Sequence, residues 1–172
     1  MQRVVIMGSP GAGKTTLARG LGALTGLPVH HLDRVQMLPG WVPKSREEKR
    51  RIYEDIAGGA RWIVEGQYPE AHAILLQRAD LVIWLDFGIA VRLWRLYLRT
   101  AREAGRQQSD GPPGCPERPL GKAVPFWRFV WGTRQTARHM PLALLADLPP
   151  GLRAAHLRTA AEVRAFLDQV RQ

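Results

Sequence analysis

Residues Gly8-Ser9-Pro10-Gly11-Ala12-Gly13-Lys14-Thr15 follow directly on the apolar run Val4–Met7. They fit the pattern G-x-x-x-x-G-K-[ST], and that pattern constrains what this chain can fold into more than anything else in it. A loop that wraps a phosphate must point several backbone N–H groups inward, and glycine permits the backbone that does so. A helix beginning at Lys14 adds the positive end of its dipole. The Lys14 ammonium can reach β- and γ-phosphates, and the Thr15 hydroxyl can ligate magnesium. Gly8, Ser9, Pro10, Gly11, Ala12, Gly13, Lys14, Thr15 and Thr16 are therefore the expected nucleotide-binding residues, with ATP and Mg2+ as ligands.

The rest of the chain supplies the context that such a loop requires. Trp62–Val64 and Leu81–Leu85 are short apolar runs that read as buried strands, and Val29–Leu32 and a stretch near Arg153–Leu157 read as further strands. Helical periodicity is expected over Lys14–Thr25, Ser45–Ala57, Ile89–Ala104 and Phe126–Leu145, and Thr159-Ala160-Ala161-Glu162 has capping-box spacing before a last helix. Strands alternating with helices predict an α/β fold, a parallel sheet covered on both faces. Gly105–Gly121 holds four Pro and four Gly in 17 residues and is expected to be irregular. A loop this long in a compact domain is usually functional, and a mobile lid is the expectation here. At 172 residues and 45% hydrophobic, the chain suits one domain.

Cys115 is the only cysteine, so neither an internal disulfide nor a multi-cysteine zinc cluster can form. The apolar runs are far shorter than a membrane span, and the expectation is a soluble, cytoplasmic protein. The formal net charge is +10, and only four of the 25 basic residues are Lys. Such a surplus suits nucleotides, phosphorylated metabolites or nucleic acid, although an Arg-rich composition alone would produce it.

Two acids at strand ends could serve a metal beside Thr15. Glu65 follows Trp62-Ile63-Val64 and precedes Gly66, and Asp86 follows Leu81–Leu85. Both ends fall at the crevice where ligands bind in parallel sheets. Asp33 closes the second expected strand and either orients an acceptor hydroxyl or caps a helix. His30 and His31 are adjacent, so on a strand they face opposite sides, a poor geometry for chelating one ion, and one is expected to pack while the other lines the cleft. Arg92, Arg95, Arg99, Arg102 and Arg106 form one narrow helical stripe, of which the end nearest the Gly/Pro segment is expected to contact phosphates. Trp127, Trp131, Arg134 and Arg138 share a second helical face, which either packs or approaches the nucleotide.

His31-Leu32-Asp33, Pro39-Gly40-Trp41, Glu65-Gly66-Gln67-Tyr68, Arg78-Ala79-Asp80, Leu85-Asp86-Phe87 and Gly114-Cys115-Pro116-Glu117-Arg118, together with the P-loop, resemble the FlaR-like DNA topology modulation proteins. These are small adenylate-kinase-like P-loop proteins, and the resemblance spans Met1 to about Leu145. It implies a five-stranded parallel sheet in order 2-3-1-4-5, an acceptor region over about residues 33–60 and a lid over about 103–122. It also implies that Glu65-Gly66 helps hold the magnesium shell and that Arg99, Arg102 and Arg106 contact phosphates. Glu65-Gly66-Gln67-Tyr68 stands where relatives usually carry Asp-Gly-Asn-Tyr, and Gly88-Ile89 where they often carry Pro-Arg. The implied activity is phosphoryl transfer from ATP to a nucleoside, a nucleotide or another small acceptor. A nucleotide-gated nucleic-acid binder and a plain nucleoside triphosphatase are the rival readings. No Asn-Lys-x-Asp guanine-reading element occurs, which favours ATP over GTP.

Overall fold

The computed structural model describes residues 1–103, 111–116 and 120–171. Five parallel strands form the central sheet: β1 (Arg3–Gly8), β2 (Val29–His31), β5 (Trp62–Glu65), β6 (Leu81–Leu85) and β7 (Arg153–Leu157). Their spatial order is β2-β5-β1-β6-β7, which is the expected 2-3-1-4-5 counted over sheet strands alone. β1 lies at the centre, pairing Ile6 with Glu65 on one side and Gly8 with Leu85 on the other. This register brings Gly8, His31, Glu65 and the residue after Leu85 to one edge of the sheet.

Alternation along the strands sorts side chains into two cores. Val4, Ile6, Ile63, Ile83 and Leu85 pack with Leu17, Ala18 and Leu21 of α1 (Lys14–Thr25) and with the apolar side of α8 (Ala160–Arg171). Val5, Met7, Val64, Val82 and Trp84 pack on the opposite face, with residues from α3 (Arg46–Gly58), α4 (Pro69–Leu75) and α7 (His139–Ala146). All five residues from Val4 to Gly8 are buried, because the central strand is covered on both sides.

Several elements depart from the sequence expectation. β2 ends at His31, and Leu32–Gln36 form the short helix α2, so Asp33 sits in a first helical turn rather than on a strand. Leu32 is fully buried, and its side chain fills the space beside Gly66, whose φ is +150°. β3 (Met37–Leu38) and β4 (Val42–Pro43) make an antiparallel hairpin around Pro39-Gly40-Trp41. The helix expected over Phe126–Leu145 is three pieces: α6 (Leu120–Gly132), a 3₁₀ turn (Thr136–Arg138) and α7. Gly132 and Thr133 end the first piece, with the Thr133 hydroxyl turned back to donate to Phe129 O at 2.8 Å. Pro141 stands in the first turn of α7, where its missing N–H costs nothing. Leu120 and Gly121, expected to be irregular, belong to α6.

Elsewhere the capping chemistry agrees with the sequence. Ser45 and Glu48 form a full capping box on α3, and Thr159 Oγ1 accepts from Glu162 N at α8. Residues 111–116 of the Gly/Pro segment lie against the β3–β4 hairpin. Gly40 N donates to Gly114 O at 3.0 Å, and Trp41 N to Cys115 Sγ at 3.2 Å. The buried Cys115 thiol donates in turn to Leu38 O. Among the described residues no helix is long and apolar enough to cross a membrane.

His72 of α4 fixes the turn that follows β5. Its Nε2 donates to Gly66 O at 3.0 Å, and its Nδ1 is buried without a partner. Burial, opposed by the Gly66 hydrogen bond and assisted by the nearby Lys14 charge, lowers its pKa from 6.5 to about 4. The unfolded chain therefore takes up this proton first as the pH falls, so the stability that neutral His72 contributes is complete above pH 6.5 and declines toward pH 4. The decline is ~3 kcal/mol. Urea unfolding at steps between pH 7 and 4 is expected to show a shallower loss for His72→Gln, which keeps a donor for Gly66 O and does not titrate. Parallel curves for the two proteins would remove His72 from the pH dependence.

Candidate functional site

The loop between β1 and α1 has the conformation its glycines predict. Gly11 has φ +80°, and a Cβ there would lie 2.5 Å from Arg92 O, so the backbone of α5 (Ile89–Glu103) packs directly on the loop. Gly13, also at positive φ, stands as N-cap of α1, which leaves the first N–H groups of that helix aimed into the loop. Lys14 and Thr15 open the helix, and Thr16 is exposed beside them.

Glu65 is brought to the loop by strand parity. It lies two residues after Ile63 and so points to the same face, toward α1. Thr15 Oγ1 donates to Glu65 Oε1 at 3.2 Å. His31, paired in register with Glu65, points the same way, and its Nδ1 lies 2.9 Å from the same oxygen. Glu65 is 2% exposed and reaches the loop from inside the fold. His30, on the opposite face, is half-buried, and its pKa is lowered by burial first and by His31 second.

Asp86 has the other parity, that of Val82 and Trp84, and turns away from α1. It accepts from Arg138 Nη2 at 2.7 Å and lies 3.1 Å from His156 Nε2. The His156 ring stacks on Trp84 with centroids 4.2 Å apart. The two candidate carboxylates thus have different company: Glu65 meets the P-loop threonine, and Asp86 meets two nitrogen donors from the opposite core.

The arginine stripe of α5 meets the P-loop at its amino-terminal end. Arg95 Nη1 donates to Ala12 O at 3.1 Å, and its guanidinium sits 4.3 Å from the Phe87 ring centroid. Arg92 is 4% exposed, and burial lowers its pKa even though the Asp86 carboxylate opposes that. Arg99 is half-buried one turn further on, Arg102 is exposed, and Arg106 lies outside the described residues. Arg134 folds back on its own segment, donating to Trp131 O at 2.8 Å and covering the Trp131 ring. Trp127 packs edge-on against Tyr97. The apolar groove between α5 and α6, about 800 Å3, is lined by Trp94, Tyr97, Trp127 and Trp131 on the side of α5 away from Arg92 and Arg95.

Beside α2, Tyr68 OH donates to Asp33 Oδ1 at 2.7 Å. Burial, with Asp33 next, pushes the Tyr68 pKa up, so the phenol stays a donor. Gln67 bridges two parts of the site. Its Oε1 accepts from Gly8 N at 2.9 Å, and its Nε2 donates to Ala137 O at 3.2 Å, one residue before Arg138. Sequence reasoning did not assign Arg95 or Gln67 to the site, and it expected one of His30 and His31 to line the cleft without saying which; the structure puts His31 beside Glu65.

The donors suit magnesium delivered with a nucleotide. A hydroxyl and a buried carboxylate stand together at the start of α1, and both hydrogen bonds described for the carboxylate fall on Oε1. Among the described residues no group of three His, Cys, Asp or Glu could hold a metal by itself. Magnesium commonly takes one or two protein oxygens and completes its shell with phosphates and water.

No protein-family model matches the chain, and no curated protein matches it. Solved structures do. A shikimate kinase from Bacteroides thetaiotaomicron is similar at 14% identity over 98% of this chain and 96% of that one, with a TM-score of 0.56. A gluconokinase from Sinorhizobium meliloti 1021 is 14% identical over 98% and 93%, with a TM-score of 0.54. A deoxyadenosine kinase from M. mycoides, solved with bound dCTP, is 11% identical over 98% and 98%, with a TM-score of 0.50. At these identities the likeness establishes the fold, which is that of the P-loop small-molecule kinases.

Proposed function

We propose that this protein transfers a phosphoryl group from ATP, with magnesium, to a small acceptor of the nucleoside or nucleotide class. The hydrogen bond between Thr15 and Glu65 carries the reading, because it joins the loop threonine to a buried carboxylate at the mouth of a phosphate-binding loop. The resemblance to the FlaR-like, adenylate-kinase-like proteins and the kinase fold point the same way. The protein is read as one domain, with its acceptor region over about residues 33–60, working in the cytoplasm.

Each residue's part follows from its placement. Loop N–H groups from Gly8 to Thr15 hold the phosphates, and the Lys14 ammonium offsets charge that develops during transfer. Arg95 braces the loop through Ala12 O, so the N–H groups are preorganised before the nucleotide arrives. Thr15 Oγ1 would ligate magnesium and Glu65 would hold a water of its shell; the ion supplies neutralisation of phosphate charge when bound. Asp33, with Oδ1 held by Tyr68, offers Oδ2 to orient an acceptor hydroxyl. Arg138 lies within reach of the sheet edge, paired with Asp86.

The test of the reaction is a panel of nucleosides, nucleotides and polyols supplied with ATP and magnesium, scored by phosphorylated product. ADP formed at one rate whatever the acceptor would make the protein a triphosphatase instead. Lys14→Ala is expected to lower transfer on the order of 10²-fold or more while thermal unfolding stays unchanged. Equal turnover in both proteins would remove Lys14 from the mechanism. Glu65→Gln is expected to shift the magnesium titration of activity and to leave metal-free nucleotide binding intact, whereas Asp86→Asn leaves the titration in place. The reverse pattern would assign the metal to Asp86.

A further inference from the structure

His31 ends β2, and Glu65 ends β5 directly beside it in the sheet. Their side chains are 10% and 3% exposed. An ionised carboxylate only accepts hydrogen bonds, so a ring nitrogen 2.9 Å from Glu65 Oε1 must donate to it. Thr15 Oγ1 donates to the same atom at 3.2 Å. Two donors from two different elements thus converge on Oε1, and no described residue donates to Oε2. The terminal torsion of a glutamate is broad and roughly two-fold, so nothing intrinsic to the side chain fixes which oxygen faces the loop.

We propose that His31 is a positioning residue for the metal–nucleotide site: by holding Oε1 from the β2 side, it fixes the Glu65 carboxylate plane and leaves Oε2 for a water of the magnesium shell. The inference rests on the functional reading above and deepens it. His31 acts through Glu65 and touches neither nucleotide nor acceptor in this role. Partners of this kind typically alter metal affinity 10–100-fold when removed, because the ligand group they orient is released into several orientations. A purely structural His31 would do something different. It would satisfy a buried carboxylate, and its loss would lower stability without changing how the remaining protein binds metal.

The experiment measures Mn2+ binding to the complex of protein with a non-hydrolysable ATP analogue, by electron paramagnetic resonance, alongside metal-free binding of the same analogue. An asparagine at position 31 places its amide nitrogen where the ring Nδ1 stands, and a glutamine places it further out. His31→Asn is therefore expected to keep Mn2+ affinity within about threefold of wild type, whereas His31→Gln and His31→Ala weaken it about tenfold or more. Metal-free analogue binding is expected to be the same in all four proteins. The Asn/Gln pair keeps the test valid if alanine proves unstable, since both carry an amide of similar polarity. Glu65→Gln is expected to weaken Mn2+ binding at least as much, and adding His31→Gln to it changes little further, because the two act as one unit. If Glu65→Gln weakens Mn2+ binding and His31→Gln does not, His31 is structural and the inference is overturned. If Glu65→Gln itself has no effect, the metal reading of Glu65 fails first.

Discussion

The contact between Thr15 and Glu65 depends on three separate pieces of geometry. Parallel pairing of β1 with β5 sets Glu65 level with Ile6, two residues below the start of the loop. Strand alternation turns the carboxylate toward α1 rather than toward α4. Gly13 caps α1 so that Thr15 falls in its first turn, facing the sheet. A one-residue slip in the β1–β5 register would turn Glu65 to the other face and leave the loop without its carboxylate. Sheet order and phosphate chemistry are therefore one constraint, and the adjacent turn is held for the same reason. His72 grips Gly66 O and Gln67 grips Gly8 N, on either side of the peptide that carries the carboxylate forward.

α5 is built in the opposite sense to an ordinary surface helix. Its Arg92 is buried and its Arg95 lies against the P-loop and Phe87, whereas Trp94 and Tyr97 are left outside, 60% and 44% exposed. A guanidinium buried at 4% exposure is costly unless something uses its charge. Here Arg95 directs its charge to the P-loop carbonyl of Ala12, 3.1 Å away. Gly11 also fixes α5 against the loop, because it tolerates no side chain beside the Arg92 carbonyl. The β3–β4 hairpin, which follows Asp33, is joined through Cys115 to residues 111–116, so two stretches distant in sequence meet at one thiol.

Much of this was legible in the residues. The P-loop announces a strand before it and a helix after it, and alternating strands and helices give the layers, while the strand order is what the resemblance to the FlaR-like proteins implies. Glu65 and Asp86 were both visible as strand-end acids, but that they turn to opposite faces follows only from the β1–β5 and β1–β6 registers. Other features depended on contacts that no local pattern encodes. Leu32 leaves β2 because a buried slot beside Gly66 takes its side chain, and this carries Asp33 into a helix. The break after Gly132 looks like continuous helix in the apolar periodicity, since Trp and Arg recur at helical spacing on both sides of it. The arginine stripe was visible as a stripe, but which end meets the phosphate loop depends on how α5 crosses the sheet edge, and only the packing of Gly11 on Arg92 fixes that. Arg106 lies outside the described residues.

The most direct test of the account is a crystal structure with a non-hydrolysable ATP analogue and magnesium. The expected result places the β- and γ-phosphates on the N–H groups of Gly8 to Thr15, magnesium on Thr15 Oγ1, and Glu65 within hydrogen-bonding distance of a water on the metal. A triphosphate seated elsewhere, or magnesium coordinated at Asp86 with Glu65 still closed on Thr15 and His31, would contradict it.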